Sequence, residues 1–215
     1  MGSQQSVPAT QATTIYFGYG SNLWLSQMRS RCPTSSYLGI GRLEGYRWQI
    51  NERHYANIVE TQSADDVVYG LVYDLPPADE ALLDRYENVP HAYTKENMSV
   101  DFWLEGGGVR ETDDRAVLGN DPEAKQMLVY ISRTNVTDSD PYKEYIGRMN
   151  NGIKDAVSLG VPQEYFDEVL RKFIPAEEQV EFTVETKRSK RTLRDAQDGS
   201  PSPYRHLAPL MDTRP

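Results

Sequence analysis

Glu87 stands in the stretch Leu83-Asp84-Arg85-Tyr86-Glu87-Asn88-Val89, at the C-terminal end of a helix opened by Pro76-Pro77-Ala78-Asp79-Glu80 and ended by Asn88-Val89-Pro90. A carboxylate there meets the negative end of the helix dipole, which disfavours its charged form. Tyr86 and Tyr93 flank it, and partial desolvation acts in the same direction. A carboxyl of raised pKa can take up and return a proton near neutral pH. A plain surface glutamate closing a helix has the same local sequence. The second candidate is Gly20-Ser21-Asn22, which follows the strand-like run Ile15-Tyr16-Phe17-Gly18 and precedes the helical Leu23-Trp24-Leu25-Ser26-Gln27-Met28. Such a junction leaves several backbone N–H groups unpaired at one place, suited to a carboxylate or a developing oxyanion. Many strand–glycine–helix junctions do no more than turn the chain.

Other chemistries fit less well. Ser21 is preceded by Tyr19-Gly20 and lacks the G-x-S-x-G context of a nucleophile elbow. The turn is followed by apolar residues, not by the Gly-Lys-Ser/Thr of a phosphate loop. His54, His91 and His206 are far apart, and no metal-ligand spacing is present. Cys32 lies near Arg29 and Arg31, which would favour a thiolate, but an inert cysteine at a helix end is the simpler expectation.

The elements that must hold these groups are mostly strands. Strand-like runs fall at 36–41, 46–51, 57–60, 67–75, 93–103 and 126–133, with Val67–Leu75 so continuously apolar that both of its faces should be covered. Gly and Asp accumulate over 105–121, as in a hairpin loop or an inserted flexible segment. Ser139-Asp140-Pro141 then caps a long helix from Tyr142 to Leu159, whose residues Tyr142, Tyr145, Ile146, Met149, Ile153 and Val157 form one apolar face. A second helix begins at Pro162, and Val180–Val184 reads as an edge strand. This order is not regularly alternating, so the fold class is α+β, with a mixed or antiparallel sheet flanked by helices. The expected organisation is a disordered tail over 1–13, one domain over 14–186, and a disordered tail over 187–215.

The 215 residues carry 23 Lys+Arg against 32 Asp+Glu, a formal charge of −9, which makes nucleic acid an unfavourable partner. One cysteine excludes an internal disulfide and fits a reducing, cytoplasmic compartment. Met1-Gly2-Ser3-Gln4-Gln5-Ser6 fits an N-myristoylation pattern. Acylated Gly2 plus the basic Lys187–Arg191 cluster would make a two-signal membrane anchor; otherwise the tails are simply solvated. A homodimer is compatible with the chain.

Taken together, Tyr16–Leu23, the Leu83–Val89 stretch with Tyr93 after it, and Pro141-Tyr142-Lys143 leading to Leu159-Gly160-Val161-Pro162 resemble the γ-glutamylcyclotransferase family, in the same order, over about Ile15 to Ile174. The resemblance implies a small mixed β-barrel flanked by helices, and release of 5-oxoproline from a γ-glutamyl amino acid or peptide. It implies no cofactor and no metal. It makes Glu87 the catalytic acid/base and the segment Tyr16, Phe17, Gly18, Tyr19, Gly20, Ser21, Asn22 the substrate cradle, with Tyr93 and Tyr142 also binding substrate. Glutathione, a glutathione conjugate, or a non-catalytic γ-glutamyl-binding role are the alternatives. Two departures stand out: the glutamate is followed by Asn88 where the family usually has glycine, and Tyr93 is one residue closer to it than in some members. Asparagine tolerates left-handed backbone better than most residues, so the turn can survive.

Overall fold

Strand β5 (Val67–Leu75) is the centre of the sheet, pairing antiparallel with β1 (Thr14–Gly18) on one side and β2 (Ser36–Glu44) on the other. The computed structural model describes residues 12–105, 109–112, 115–118 and 121–176. From β2 the sheet continues antiparallel through β6 (Thr94–Leu104) to β9 (Glu123–Ile131). Strand β9 then meets β1 in parallel, with Tyr16 opposite Leu128, and closes a five-stranded barrel in the order β1-β5-β2-β6-β9. The expected mixed barrel is therefore present, and β5 has the bounds read from its apolar run.

Phe17 explains how so small a barrel is filled. It is fully buried, and a Cβ at Gly41 of β2 or Gly70 of β5 would lie 2.7 Å or 2.6 Å from its ring. The two glycines make room for one large ring in the lumen, beside Val100. A bulge between Tyr37 and Gly39 lets β2 curve; Gly39 has φ of +153°, and a Cβ there would lie 2.0 Å from the Trp103 carbonyl oxygen.

Two hairpins extend from the barrel: β3 (Tyr46–Ile50) with β4 (Ala56–Glu60), and β7 (Val109–Thr112) with β8 (Arg115–Leu118). Helix α1 (Leu25–Arg31) follows a 3-10 turn over Ser21–Leu23, so the helix expected from Leu23 starts two residues later. Helix α2 (Pro77–Tyr86) joins β5 to β6. Helix α3 (Lys143–Ser158) buries Tyr145, Met149, Gly152, Ile153 and Ala156, and α4 (Gln163–Glu168) ends in a 3-10 turn over Leu170–Lys172.

Three side-chain positions on one face of α3 hold the Ser21–Leu23 turn. Tyr145 Oη accepts a hydrogen bond from the Ser21 N–H at 3.2 Å. Gly152 lets the helix approach closely, since a Cβ there would lie 2.9 Å from Leu23 Cβ. Asp155 Oδ2 accepts from the Leu25 N–H at 2.9 Å and so caps α1 from outside. On the other side, Asp79 of α2 accepts from the N–H and hydroxyl of Thr34, both at 2.8 Å, fixing α2 against the end of α1. The barrel thus places the turn, α1, α2 and α3 around one end of β1. Among the described residues no helix is long and apolar enough to cross a membrane. Gly2, His206, the Val180–Val184 strand and the Lys187–Arg191 cluster lie outside the described residues, as do both expected tails apart from residues 12 and 13.

Candidate active site

A cavity of about 320 Å³ opens where β1 ends, and Tyr16, Tyr19, Gly20, Ser21, Asn22, Glu87 and Tyr93 all line it. The turn and Glu87, 65 residues apart in the chain, meet directly. Asn22 Nδ2 donates to Glu87 Oε1 at 3.1 Å and to Tyr16 Oη at 2.8 Å. Its Oδ1 accepts from Gln27 Nε2 at 3.0 Å and from Arg31 Nη1 at 2.9 Å. All four contacts agree on one orientation of the amide, so Asn22 is a fixed post between the turn and the carboxylate.

Glu87 is the C-cap of α2, and its N–H still donates to Leu83 O at 2.9 Å. The next residue, Asn88, has φ of +52°, and the chain turns away through its left-handed backbone. Asparagine thus takes the conformation that glycine would take there. The Glu87 side chain is 17% exposed, on the cavity wall. Removal from water raises its pKa, the positive charges of Arg31, Arg148 and Arg53 and the Asn22 hydrogen bond oppose this, and desolvation prevails. Arg31 Nη1 lies 3.7 Å from Oε1. Both of these polar contacts fall on Oε1; Oε2 takes part in neither.

The remaining walls are largely tyrosine. Tyr19 Oη donates to Tyr130 O at 2.6 Å, and Tyr93 Oη donates to Ala56 O at 2.8 Å. Burial pushes the hydroxyls of Tyr16, Tyr19 and Tyr93 well up, so they are neutral. Tyr145 Oη accepts from two backbone N–H groups, Ser21 at 3.2 Å and Ala56 at 3.3 Å. With both bonds received at its oxygen, the hydroxyl keeps its own proton to donate. Burial pushes this group up to about 12.

Three expected binding residues lie elsewhere. Phe17 fills the barrel lumen. Gly18 sits behind the turn, where a Cβ would lie 3.2 Å from Tyr16 Oη. Tyr142 precedes α3, is 48% exposed, and packs on His54 and Tyr55 at ring distances of 4.4 Å and 5.6 Å. The tyrosine that lines the cavity is Tyr145, one turn further along the helix. Ser21 Oγ accepts from Gln27 Nε2 at 2.9 Å, and neither His54 nor His91 lines the cavity to serve as its base. Cys32 is fully buried with its Sγ against Asp79 O, and burial pushes the thiol up to about 12, so Arg29 and Arg31 do not activate it. Arg31, Arg53, Tyr55, Tyr130 and Arg148 also line the cavity. Arg53 and Tyr55 share the loop between β3 and β4, while Arg31, Tyr130 and Arg148 come from three other elements, and only the fold brings them together.

The family model for γ-glutamyl cyclotransferase, AIG2-like, matches residues 16–145, more than half of the chain. The chain belongs to this family. Among solved structures, a γ-glutamyl cyclotransferase aligns with a TM-score of 0.57 at 20% identity, over 78% of this chain and 91% of that one. An uncharacterised protein from Homo sapiens aligns with a TM-score of 0.58 at 21% identity, over the same shares. YkqA from Bacillus subtilis aligns with a TM-score of 0.56 at 16% identity, over 77% of this chain and 56% of that one. These likenesses show the cyclotransferase barrel. Comparison with curated protein sequences returns no match. Tyr16 and Tyr145, the first and last matched residues, both line the cavity.

Proposed function

We propose that the chain is a γ-glutamylcyclotransferase that releases 5-oxoproline from a γ-glutamyl compound, with Glu87 as its acid/base. The observation that carries this reading is one carboxyl of raised pKa held 3.1 Å from Asn22 Nδ2, within the cavity lined by the Gly20–Asn22 turn. The substrate supplies its own nucleophile. Its α-amine nitrogen attacks its γ-carbonyl carbon and a new C–N bond closes the five-membered ring. The bond from that carbon to the leaving nitrogen then breaks.

The protein's part is to fold the substrate back, to stabilise the oxyanion, and to move one proton. Holding amine and carbonyl together can supply an effective molarity of ~10⁵ M or more. The Ser21 N–H is occupied by Tyr145, which leaves the Gly20 and Asn22 amides as the turn's donors for the substrate in this reading. The Tyr145 hydroxyl, with two N–H groups donating to its oxygen, is the donor aimed at the carbonyl oxygen as charge develops. Ionised Glu87 takes the proton from the attacking nitrogen and returns it to the leaving amine, which departs as a free amine or amino acid. A carboxyl of raised pKa can serve in both directions.

The test is 5-oxoproline release from γ-glutamyl-alanine. Glu87→Gln should lower kcat by ~10²-fold or more, the usual scale of a lost acid/base. Equal rates in the two proteins would remove Glu87 from the role. A binding protein without turnover would be stabilised by the same compound and release no product.

A further inference from the structure

The cavity wall carries three guanidinium groups and one carboxylate. Each guanidinium lies over a tyrosine ring: Arg31 on Tyr86 at 5.0 Å, Arg148 on Tyr145 at 4.9 Å, and Arg53 on Tyr93 at 5.8 Å. Two of the three have carboxylate partners. Arg148 binds Glu144 with two bonds, of 2.9 Å and 2.8 Å, and Arg31 lies 3.7 Å from Glu87. Arg53 differs. Among the described residues no carboxylate pairs with it, and its Nη1 is buried without a hydrogen-bond partner in the protein. A buried charged donor left unsatisfied is costly, and in a native structure it calls for an explanation.

Arg53 is also held in place. It sits in the loop between β3 and β4, where its own N–H donates to Asn51 Oδ1 at 3.0 Å. The same loop carries Tyr55 and leads to Ala56, whose N–H and carbonyl bind Tyr145 and Tyr93. A guanidinium that lines the cavity, laid on a ring and with no carboxylate partner among the described residues, is preorganised for a planar anion. The Gly20–Asn22 turn and Tyr145 are assigned above to the γ-glutamyl half.

Resting on that assignment, we infer that Arg53 binds a carboxylate on the leaving half of the substrate and makes the chain selective for γ-glutamyl compounds whose amine half is acidic close to the scissile bond. An amine half without that carboxylate leaves the guanidinium without an anionic partner. A charge-assisted hydrogen bond of this kind corresponds to ~10- to 100-fold discrimination.

The test compares γ-glutamyl-alanine with γ-glutamyl-alaninamide, which differ only in that carboxylate. In the wild type, kcat/KM should favour the acid by about 10-fold or more, chiefly through KM. In Arg53→Gln the ratio should fall to within about 3-fold of one, and Arg53→Lys, which keeps the charge, should recover part of it. A wild type that treats the two alike, or a preference that survives Arg53→Gln, overturns the inference. An equal loss on both compounds would place Arg53 on the γ-glutamyl carboxylate and overturn it as well. If the wild type turns over neither compound, the cyclotransferase reading is what fails. Equilibrium binding of the same pair to wild type and Arg53→Gln then reads the preference directly, and equal wild-type affinities overturn it.

Discussion

Asn88 decides where the Glu87 carboxyl points. It stands at φ of +52°, and its carbonyl accepts from the N–H groups of both His91 and Ala92, at 2.8 Å and 2.9 Å. The chain must make this reversal directly after α2 for Glu87 to face the cavity. A Cβ without a short polar group is strained in left-handed backbone by roughly 1–2 kcal/mol. Asn88→Ala should therefore destabilise the fold by ~1 kcal/mol, or a few degrees of Tm for a chain of this size. Asn88→Gly should be close to neutral. Thermal melts of the two variants check this, and an unaffected Asn88→Ala protein would show that the turn carries no strain. Glu87 and Asn22 were legible as candidates because each stands at the end of a recognisable element, and Tyr93 through the family resemblance; the cavity brings the three together. Arg53 and Arg148 were not, because their meeting depends on a hairpin loop and a helix brought together by the barrel.

At the scale of elements, the turn is shaped less by its own sequence than by α3. The helix reaches it with Tyr145, Gly152 and Asp155, positions two turns and then three residues apart on one face. The hydrophobic periodicity of α3 shows the apolar side correctly but gives no weight to Gly152, whose use is the absence of a side chain, or to Asp155, which is polar. For the same reason Tyr142 and Tyr145, three residues apart, are indistinguishable by period. Only the approach of the helix to the turn separates the one that lines the cavity from the one outside it. Asp155→Ala removes the acceptor for the Leu25 N–H and should cost ~1 kcal/mol, the usual worth of a helix cap. Asp155→Asn keeps an acceptor oxygen and should recover most of that loss. Chemical denaturation of both variants separates the two results; equal losses would mean that charge, and not the cap bond, holds α1.

At the scale of the whole molecule, charge is distributed unevenly. The chain is −9 overall, yet Arg31, Arg53 and Arg148 make the cavity wall positive around the single carboxylate Glu87. Such a site is locally attractive to an anionic substrate within a surface that repels it, so capture should depend on short-range contacts more than on long-range steering. The same arrangement has a consequence for stability. Glu87 has its pKa raised in the folded state, chiefly by desolvation, so across the window above the ordinary carboxylate value the native state holds a proton that the unfolded chain has lost. Its contribution is fully present below about pH 4.3, the unfolded value, and is lost as pH rises through the folded pKa. Glu96 behaves oppositely: hydrogen bonds from Arg133 lower its pKa, and its contribution is lost as pH falls. A wild-type pH profile mixes the two signs, whereas the difference between wild type and Glu87→Gln cancels Glu96 and isolates Glu87. Glutamine is isosteric and never charged, so the variant should melt above the wild type at pH 7 and at about the same temperature near pH 4. A variant less stable at pH 7 would mean that the pairing with Arg31 outweighs desolvation. In that case Glu87 is ionised more firmly than the burial of its carboxyl implies, and it would be a poorer proton donor to the leaving amine.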